Sequence, residues 1–139
     1  VSAAPSLTHF GAADASREAL TLAGASVTDL DYAAIYDSFT ITLAILLEEI
    51  GLAPRGQAGR LAVEGYFSRA GALPLNTHGG LLSYGHCGVG AAMAHLVETH
   101  LQMTGRAGER QAGTPELALL HGDGGVLSSH VSLVLERAD

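Results

Sequence analysis

Apolar residues recur along this chain at two spacings, and the change from one to the other marks its elements. From Asp14 to about Ala23 they fall at helical intervals, with Asp14 as a capping residue and Gly24 where a left-handed terminating residue is wanted. Residues 1–13 before it are small and polar, with Pro5, and are expected to be a lead-in coil. Tyr32–Tyr36, YAAIY, is short, apolar and uninterrupted, the pattern of a buried strand. Asp37 or Ser38 then caps a second helix, with Phe39, Leu43, Leu46, Leu47 and Ile50 on one stripe and Gly51 at its end. Between 52 and 75, Pro54, Gly56, Gly59, Gly65, Gly71 and Pro74 break every period and predict a loop excursion with one helical turn. A third helix is predicted from about His86 to Met103, with Val89, Ala92, Met93, Leu96 and Val97 as its apolar face. Beyond a polar link, Leu117–Leu120 reads as an apolar strand and residues 121–125 as a tight turn. Val126–Leu135 reads as an alternating strand in which Leu127, Val131, Leu133 and Leu135 oppose Ser128, His130 and Ser132. Helix, strand and helix joined by tight links are the signature of an α/β domain layered helix–sheet–helix.

Composition narrows the class. A chain of 139 residues with 47% apolar content is one folded domain with one core. A formal charge of −7, from 14 acidic and 7 basic residues, argues against nucleic acid and anionic membranes as partners. No apolar run reaches the length of a membrane span, so no membrane insertion is expected. The first ten residues, VSAAPSLTHF, have neither the basic nor the apolar region of a signal peptide. A first residue Val1 rather than Met leads us to expect a processed chain or a piece of a longer one. The single cysteine, Cys87, cannot form an internal disulfide, which favours a reducing, cytoplasmic setting. The basic residues are all Arg, so no Schiff-base lysine is present. HExxH and Cys/His ligand spacing are absent and no metal is expected. GHCGVG is not in the GxGxxG order, and GxSxG is absent, which removes the usual dinucleotide and serine-hydrolase signals.

The chemistry is concentrated in residues 76–89, NTHGGLLSYGHCGV, which hold an amide, two histidines, a tyrosine, the cysteine and four glycines. Gly79, Gly80 and Gly85 are positions where backbone can approach a ligand closely. Polar side chains among glycines, just before a helix, present chemistry at a terminus whose first N–H groups have no helical partner. His86 in this setting can stabilise developing negative charge on a carbonyl oxygen, or simply cap the helix. Asn76 can hold a water or form the turn. Cys87 is either a thiol activated by the helix start or a small packed residue. Tyr36 and Tyr84 are phenols able to move protons or to hydrogen-bond a carbonyl, or core aromatics. His121 is a proton carrier near neutral pH or a structural residue beside its turn. His78, His95, His100 and His130 read as structural or surface residues.

Asn76, Gly79, Gly80, Leu81, Leu82, Gly85 and His86 resemble the C-terminal catalytic loop of the thiolase superfamily, Asn-x-x-Gly-Gly, an apolar run and Gly-His-Pro, with Cys87 in place of the proline. Ser83-Tyr84-Gly85-His86 is closest to the lipid-transfer-protein or sterol-carrier-type branch, which is acetyl-CoA acetyltransferase-like. Ala34–Phe39 is similar to the family's acidic Asn-Glu-Ala-Phe segment, and Leu120–Gly125 stands where the family has its Cys-x-Gly-Gly-Gly turn. The resemblance runs from Ser6 to Arg137 and implies a layered thiolase-like C-terminal domain over 1–139, a mixed sheet with helices on both faces. Its first strand is expected to be shortened or missing, and the N-terminal half with the nucleophilic cysteine to lie elsewhere. It implies a coenzyme A thioester as substrate, no tightly bound cofactor, a homodimer completed by the N-terminal half, and, in the retro-aldolase branch, an OB-fold partner protein. It assigns His86 to the set around the acyl oxygen and Asn76 to the catalytic loop, and puts His121 in the place of the second thiolase cysteine. The loss of that thiol leaves three readings open. One is an acyltransferase whose other half holds the nucleophile. Another is a retro-aldolase using Tyr36, Tyr84, His86 or His121 on CoA-linked steroid or lipid side chains. The third is a non-catalytic acyl-CoA- or lipid-binding or assembly subunit.

Overall fold

The structure, a computed structural model, describes residues 9–138. Of the expected lead-in coil, residues 1–8 lie outside the described residues. The first helix begins earlier than the capping pattern suggests. Helix α1 spans Ala12–Ala23, with Gly11 at its cap position. Asp14 sits in the first turn, where a carboxylate favours the positive helix end, and pairs with Arg17. Gly24 closes the helix in the left-handed conformation, as the pattern requires.

Strand β1, Tyr32–Ile35, is buried along its whole length. Helix α2, Thr40–Ile50, starts later than expected because Asp37 turns inward instead of capping it. Its Leu46, Leu47 and Ile50 are buried, whereas Phe39 is exposed. The loop excursion carries one short helix, α3, Ala58–Val63. It returns along the free edge of β1, where the Ala33 N–H donates to the Pro74 carbonyl and the Asn76 N–H to the Ala33 carbonyl.

The predicted third helix starts later than expected: a single 3-10 turn at Gly88–Gly90 takes the place of its first residues, and α5 runs Ala92–Met103, while a further short helix, α4, Gly80–Tyr84, lies in the stretch read as a loop. Strand β2 runs Leu117–Gly124 and β3 runs Ser129–Glu136. The expected turn at 121–125 is therefore strand up to Gly124. Pairing with β3 continues through Asp123 opposite His130 and Gly124 opposite Ser129, and the chain reverses over 125–128, with Val126 and Leu127 both at positive φ.

The sheet order is β1-β2-β3, parallel then antiparallel. This is the mixed sheet with helices on both faces. Ala33, Ile35 and Leu119 pack with Leu20, Leu46, Leu47 and Ile50 from α1 and α2. On the opposite face Tyr32, Ala34, Ala118 and Leu120 pack with Met103 and Leu96 from α5. No helix among the described residues is long and apolar enough to cross a membrane.

The orientation of α5 departs in part from expectation. Its predicted apolar face is split: Val89 before it, and Met93 and Val97 on it, are exposed, whereas Ala92 and Leu96 pack inward. Its buried face is His95, Glu98, Thr99, Gln102 and Met103. That polar face is satisfied by a network. Glu98 takes an ion pair from Arg110 at 3.0 Å and a hydrogen bond from the Thr77 hydroxyl at 2.7 Å. Gln102 donates to Thr77 Oγ1 and the Arg110 carbonyl, both at 2.8 Å, and accepts the Ala112 N–H at 2.8 Å. Buried polar groups are tolerated when so paired, and here they tie α5 to the 76–80 loop and to the link before β2.

Candidate functional site at the strand ends

β1 and β2 are parallel and end side by side, the place where α/β sheets present ligand sites. The residue two places beyond β1 sets the geometry there. Asp37 is 2% exposed and points into the 76–86 loop. Its carboxylate accepts the backbone N–H of Leu81 at 2.9 Å and of Leu82 at 3.3 Å, and lies 3.1 Å from His95 Nε2. Burial pushes its pKa up, but the hydrogen bonds from His95, Leu81 and Leu82 together outweigh that and hold it below the usual carboxylate range. Gly80 explains the Gly-Gly pair: with φ +64, a Cβ there would lie 2.0 Å from Asp37 Oδ2.

Asn76 pins the other end of the same loop. Its Oδ1 accepts the Ile35 N–H at 2.9 Å, and its Nδ2 donates to the Ile35 carbonyl at 2.8 Å. Both ends of its amide are thus used on backbone, and the residue extends the β1 edge. Between Asn76 and Asp37, the loop is held so that Gly85–His86 comes back over Tyr36.

Tyr36 and His86 meet. The phenol oxygen lies 2.6 Å from His86 Nε2, with the rings edge to face. The Gly88 N–H donates to His86 Nδ1 at 3.1 Å. An Nδ1 that accepts leaves the neutral ring's proton on Nε2, which donates to the tyrosine oxygen. The Tyr36 hydroxyl hydrogen is then free for a third group. Burial raises the Tyr36 pKa, and the carboxylates of Asp123 and Asp37 add to it, so the phenol keeps its proton.

A cleft of about 690 Å³ opens over this pair. Tyr36, Ser38, Phe39 and Thr42 line one side, His86, Gly88, Val89 and Ala92 another, and Asp123 to Leu127 the third. Asp123 brings a half-buried carboxylate, one oxygen of which accepts the Leu127 N–H at 2.8 Å.

Other residues singled out in the sequence lie elsewhere. His121 is 1% exposed and lies beneath α1, with Nδ1 2.8 Å from Ser132 Oγ and Nε2 3.2 Å from His130 Nδ1. Burial lowers its pKa to about 3, with the neighbouring His130 adding to the effect, so it stays neutral. Tyr84 is exposed and stacks on His78 rather than lining the cleft. Gly79 and Gly85 bound α4 at positive φ, and the glycines that do line the cleft are Gly88, Gly124 and Gly125. Cys87 is exposed and unpaired. Among the described residues, no group of three or more His, Cys, Asp or Glu is placed to hold a metal ion.

Two residues of this site escape the sequence pattern. Asp37 has the spacing of a helix cap, although its place in an acidic motif carries the signal. Asp123 has the surroundings of a turn. Strand alternation continued through His121 places it at the strand rim.

Residues 1–137 match the model of a family described as thiolase C-terminal domain-like. Over 121 residues the chain is 31% identical to an acetyl-CoA acetyltransferase of Methanothermobacter thermautotrophicus, covering 85% of this chain and 32% of that protein. Over 111 residues it is 33% identical to sterol carrier protein 2 of Bos taurus, covering 80% of this chain and 20% of that one. A solved structure titled Ltp2-ChsH2(DUF35) aldolase superposes with a TM-score of 0.83 and 26% identity, over 97% of this chain and 34% of that one. The chain thus spans about a third or less of the length of these relatives.

Proposed function

Since the chain belongs to the thiolase C-terminal domain-like family, we propose that it is the C-terminal half of an acyl-CoA enzyme that makes or breaks a carbon–carbon bond beside a thioester carbonyl, a sterol-carrier-type acetyl-CoA acyltransferase. One observation carries the reading. Tyr36 and His86 are joined at 2.6 Å, and both line a 690 Å³ cleft. Carbon–carbon chemistry of this type puts negative charge on the thioester oxygen as the enolate forms. A preorganised donor at that oxygen stabilises the transition state more than the ground state. His86 holds Tyr36 in line, and Asp37 and Asn76 fix both through the loop.

The nucleophile, the remaining walls of the site and a second copy of the subunit are supplied in this reading from outside the chain. The outward apolar residues Val89, Met93, Val97, Val131 and Leu133 fit packing against such a remainder. The alternative is a lyase, a retro-aldolase on a CoA-linked steroid or lipid side chain. The burial of His121 away from the cleft, the presence of a phenol in it and the likeness to a structure titled as an aldolase favour that alternative. In it an OB-fold protein is the partner, and Tyr84, which stands outside this chain's cleft, takes part only through walls supplied from outside the chain.

The test uses the full-length protein. Acetyl transfer between CoA thioesters supports the first reading, and release of an aldehyde or ketone from a β-hydroxyacyl-CoA supports the second. In either assay Tyr36→Phe is expected to lower kcat by about 100- to 1000-fold, the worth of one such donor. Activity within about threefold of the unaltered protein in both Tyr36→Phe and His86→Ala would refute a catalytic role for this half.

A further inference from the structure

The proposed chemistry also needs a group that takes a proton, and the Tyr36–His86 pair cannot supply it. Tyr36 keeps its proton. The acceptor nitrogen of His86 is occupied by the Gly88 N–H, and its other nitrogen donates to Tyr36. Cys87 does not line the cleft. Among the described residues that do line it, Asp123 is the one carboxylate.

Its surroundings are built. Asp123 is directly opposite His130 in the β2–β3 pair, and His121 lies two residues back on the same face. The His121 and His130 rings stack at 5.3 Å with 21° between their planes, and their ring nitrogens lie 3.2 Å apart. Behind them Ser132 Oγ sits 2.8 Å from His121 and 2.9 Å from Ser16 Oγ. Gly11 leaves the room this stack needs, since a Cβ there would lie 2.9 Å from His130 Cδ2. The column backs the carboxylate from beneath, and the Leu127 N–H fixes one of its oxygens. Burial raises the Asp123 pKa, while His130 and the Leu127 bond oppose the rise, which makes the carboxylate a stronger base than an exposed aspartate.

We infer that Asp123 is the catalytic base of this site, exchanging a proton with the α-carbon of the acyl-CoA; the inference rests on the function proposed above. In the acyl-transfer direction the carboxylate forms an O–H bond with the α-proton. The C–H electron pair becomes the enolate double bond, and the charge passes to the thioester oxygen that Tyr36 hydrogen-bonds. In the cleavage direction Asp123 takes the β-hydroxyl proton as the carbonyl forms. The Cα–Cβ pair moves into the enolate, and Asp123 returns the proton to Cα. No oxidant or reductant enters either direction.

The experiment incubates the full-length protein with acetyl-CoA or propionyl-CoA in deuterated water. It reads α-hydrogen exchange by mass spectrometry, alongside turnover. Asp123→Asn keeps an oxygen that can accept the Leu127 N–H and removes the base. It is expected to slow exchange and turnover by about 100-fold or more, with acyl-CoA affinity held within about threefold. If Asp123→Asn does not fold, Asp123→Ser, whose hydroxyl can also accept that N–H, decides in the same assay. Exchange undiminished in a folded variant, or turnover by the unaltered protein without exchange, overturns the assignment of Asp123 and leaves the function standing. Neither exchange nor turnover in the unaltered protein removes the proposed function, and this inference with it.

Discussion

Replacing Asp37 with alanine removes the acceptor on which the whole 76–86 loop is hung. Three donors lose their partner: the backbone N–H groups of Leu81 and Leu82, and the His95 ring. Leu82 is about half exposed and regains water. Leu81 and His95 are buried and do not. A buried donor left unpaired costs about 1–3 kcal/mol, so the two together cost roughly 2–6 kcal/mol. For a chain of this size that is a fall in Tm of about 7–20 °C. Thermal and denaturant unfolding of Asp37→Ala measure it. A change below about 0.5 kcal/mol, the level of an ordinary surface substitution, would refute the anchoring role. The comparison with Asp37→Asn adds the sign. Burial works to raise the Asp37 pKa, but its hydrogen bonds hold the folded value below that of the unfolded chain. The stability it contributes is therefore complete above the ordinary carboxylate pKa of about 3.9 and is lost as pH falls through the lower folded value. The advantage of the unaltered protein over Asp37→Asn should shrink below about pH 4. An advantage that grows in acid would contradict the assignment of the charge.

Gly80→Ala should cost about 3 kcal/mol or more, because it places a Cβ against Asp37 at a left-handed φ. In Gly80→Ala combined with Asp37→Ala the clash partner is gone, so denaturant midpoints should show a loss clearly smaller than the sum. His121→Asn tests the buried histidine. Burial, with His130 adding, takes its pKa from 6.5 to about 3, so between those values the unfolded chain binds the extra proton. Stability is complete above pH 6.5 and falls by about 1.4 kcal/mol per pH unit below it. Unfolding curves from about pH 7 to 4 should be flatter in His121→Asn, and equal slopes would show that His121 is protonated in the folded protein.

How far the sequence carried the reading depends on what each pattern measures. YAAIY announced a buried strand because all four residues of β1 are inside. Gly24 and Gly51 announced helix ends because each adopts the positive φ that only glycine takes cheaply. The Asn76, Gly80 and His86 spacing was legible as a family motif and not as a periodicity, and each of the three meets a residue of β1 or just beyond it, Ile35, Asp37 and Tyr36 respectively. Helix α5 misled because periodicity reports which face is apolar, not which face is inside. Its inner face is held by hydrogen bonds with Arg110, Thr77 and Ala112, and Thr77 lies 25 residues from its partner Gln102. No local pattern encodes such pairings. The outward apolar face of α5 then becomes informative in its own right, as a surface that a longer protein has reason to cover.

The exchange of a thiolase cysteine for His121 looks, in sequence, like one proton carrier replacing another at the same point. Strand geometry separates the two ideas. Residues 121 and 123 share a face of β2, but each residue advances about 3.3 Å along a strand, so His121 lies about 7 Å further from the strand end. At that depth it is beneath α1 and held by Ser132. The rim position falls to Asp123, because pairing with β3 carries the strand through Gly124 before the chain turns. A one-residue slip of β2 against β3 would not bring the histidine to the rim, since it would turn Leu119 and His121 to the opposite face. Reaching the cleft would take a shift of two residues, which would break the pairs from Leu117 opposite Glu136 to Gly124 opposite Ser129. The histidine is thus better placed to support the residue at the rim than to replace the missing thiol. The base proposed above, Asp123, stands two residues further along the strand.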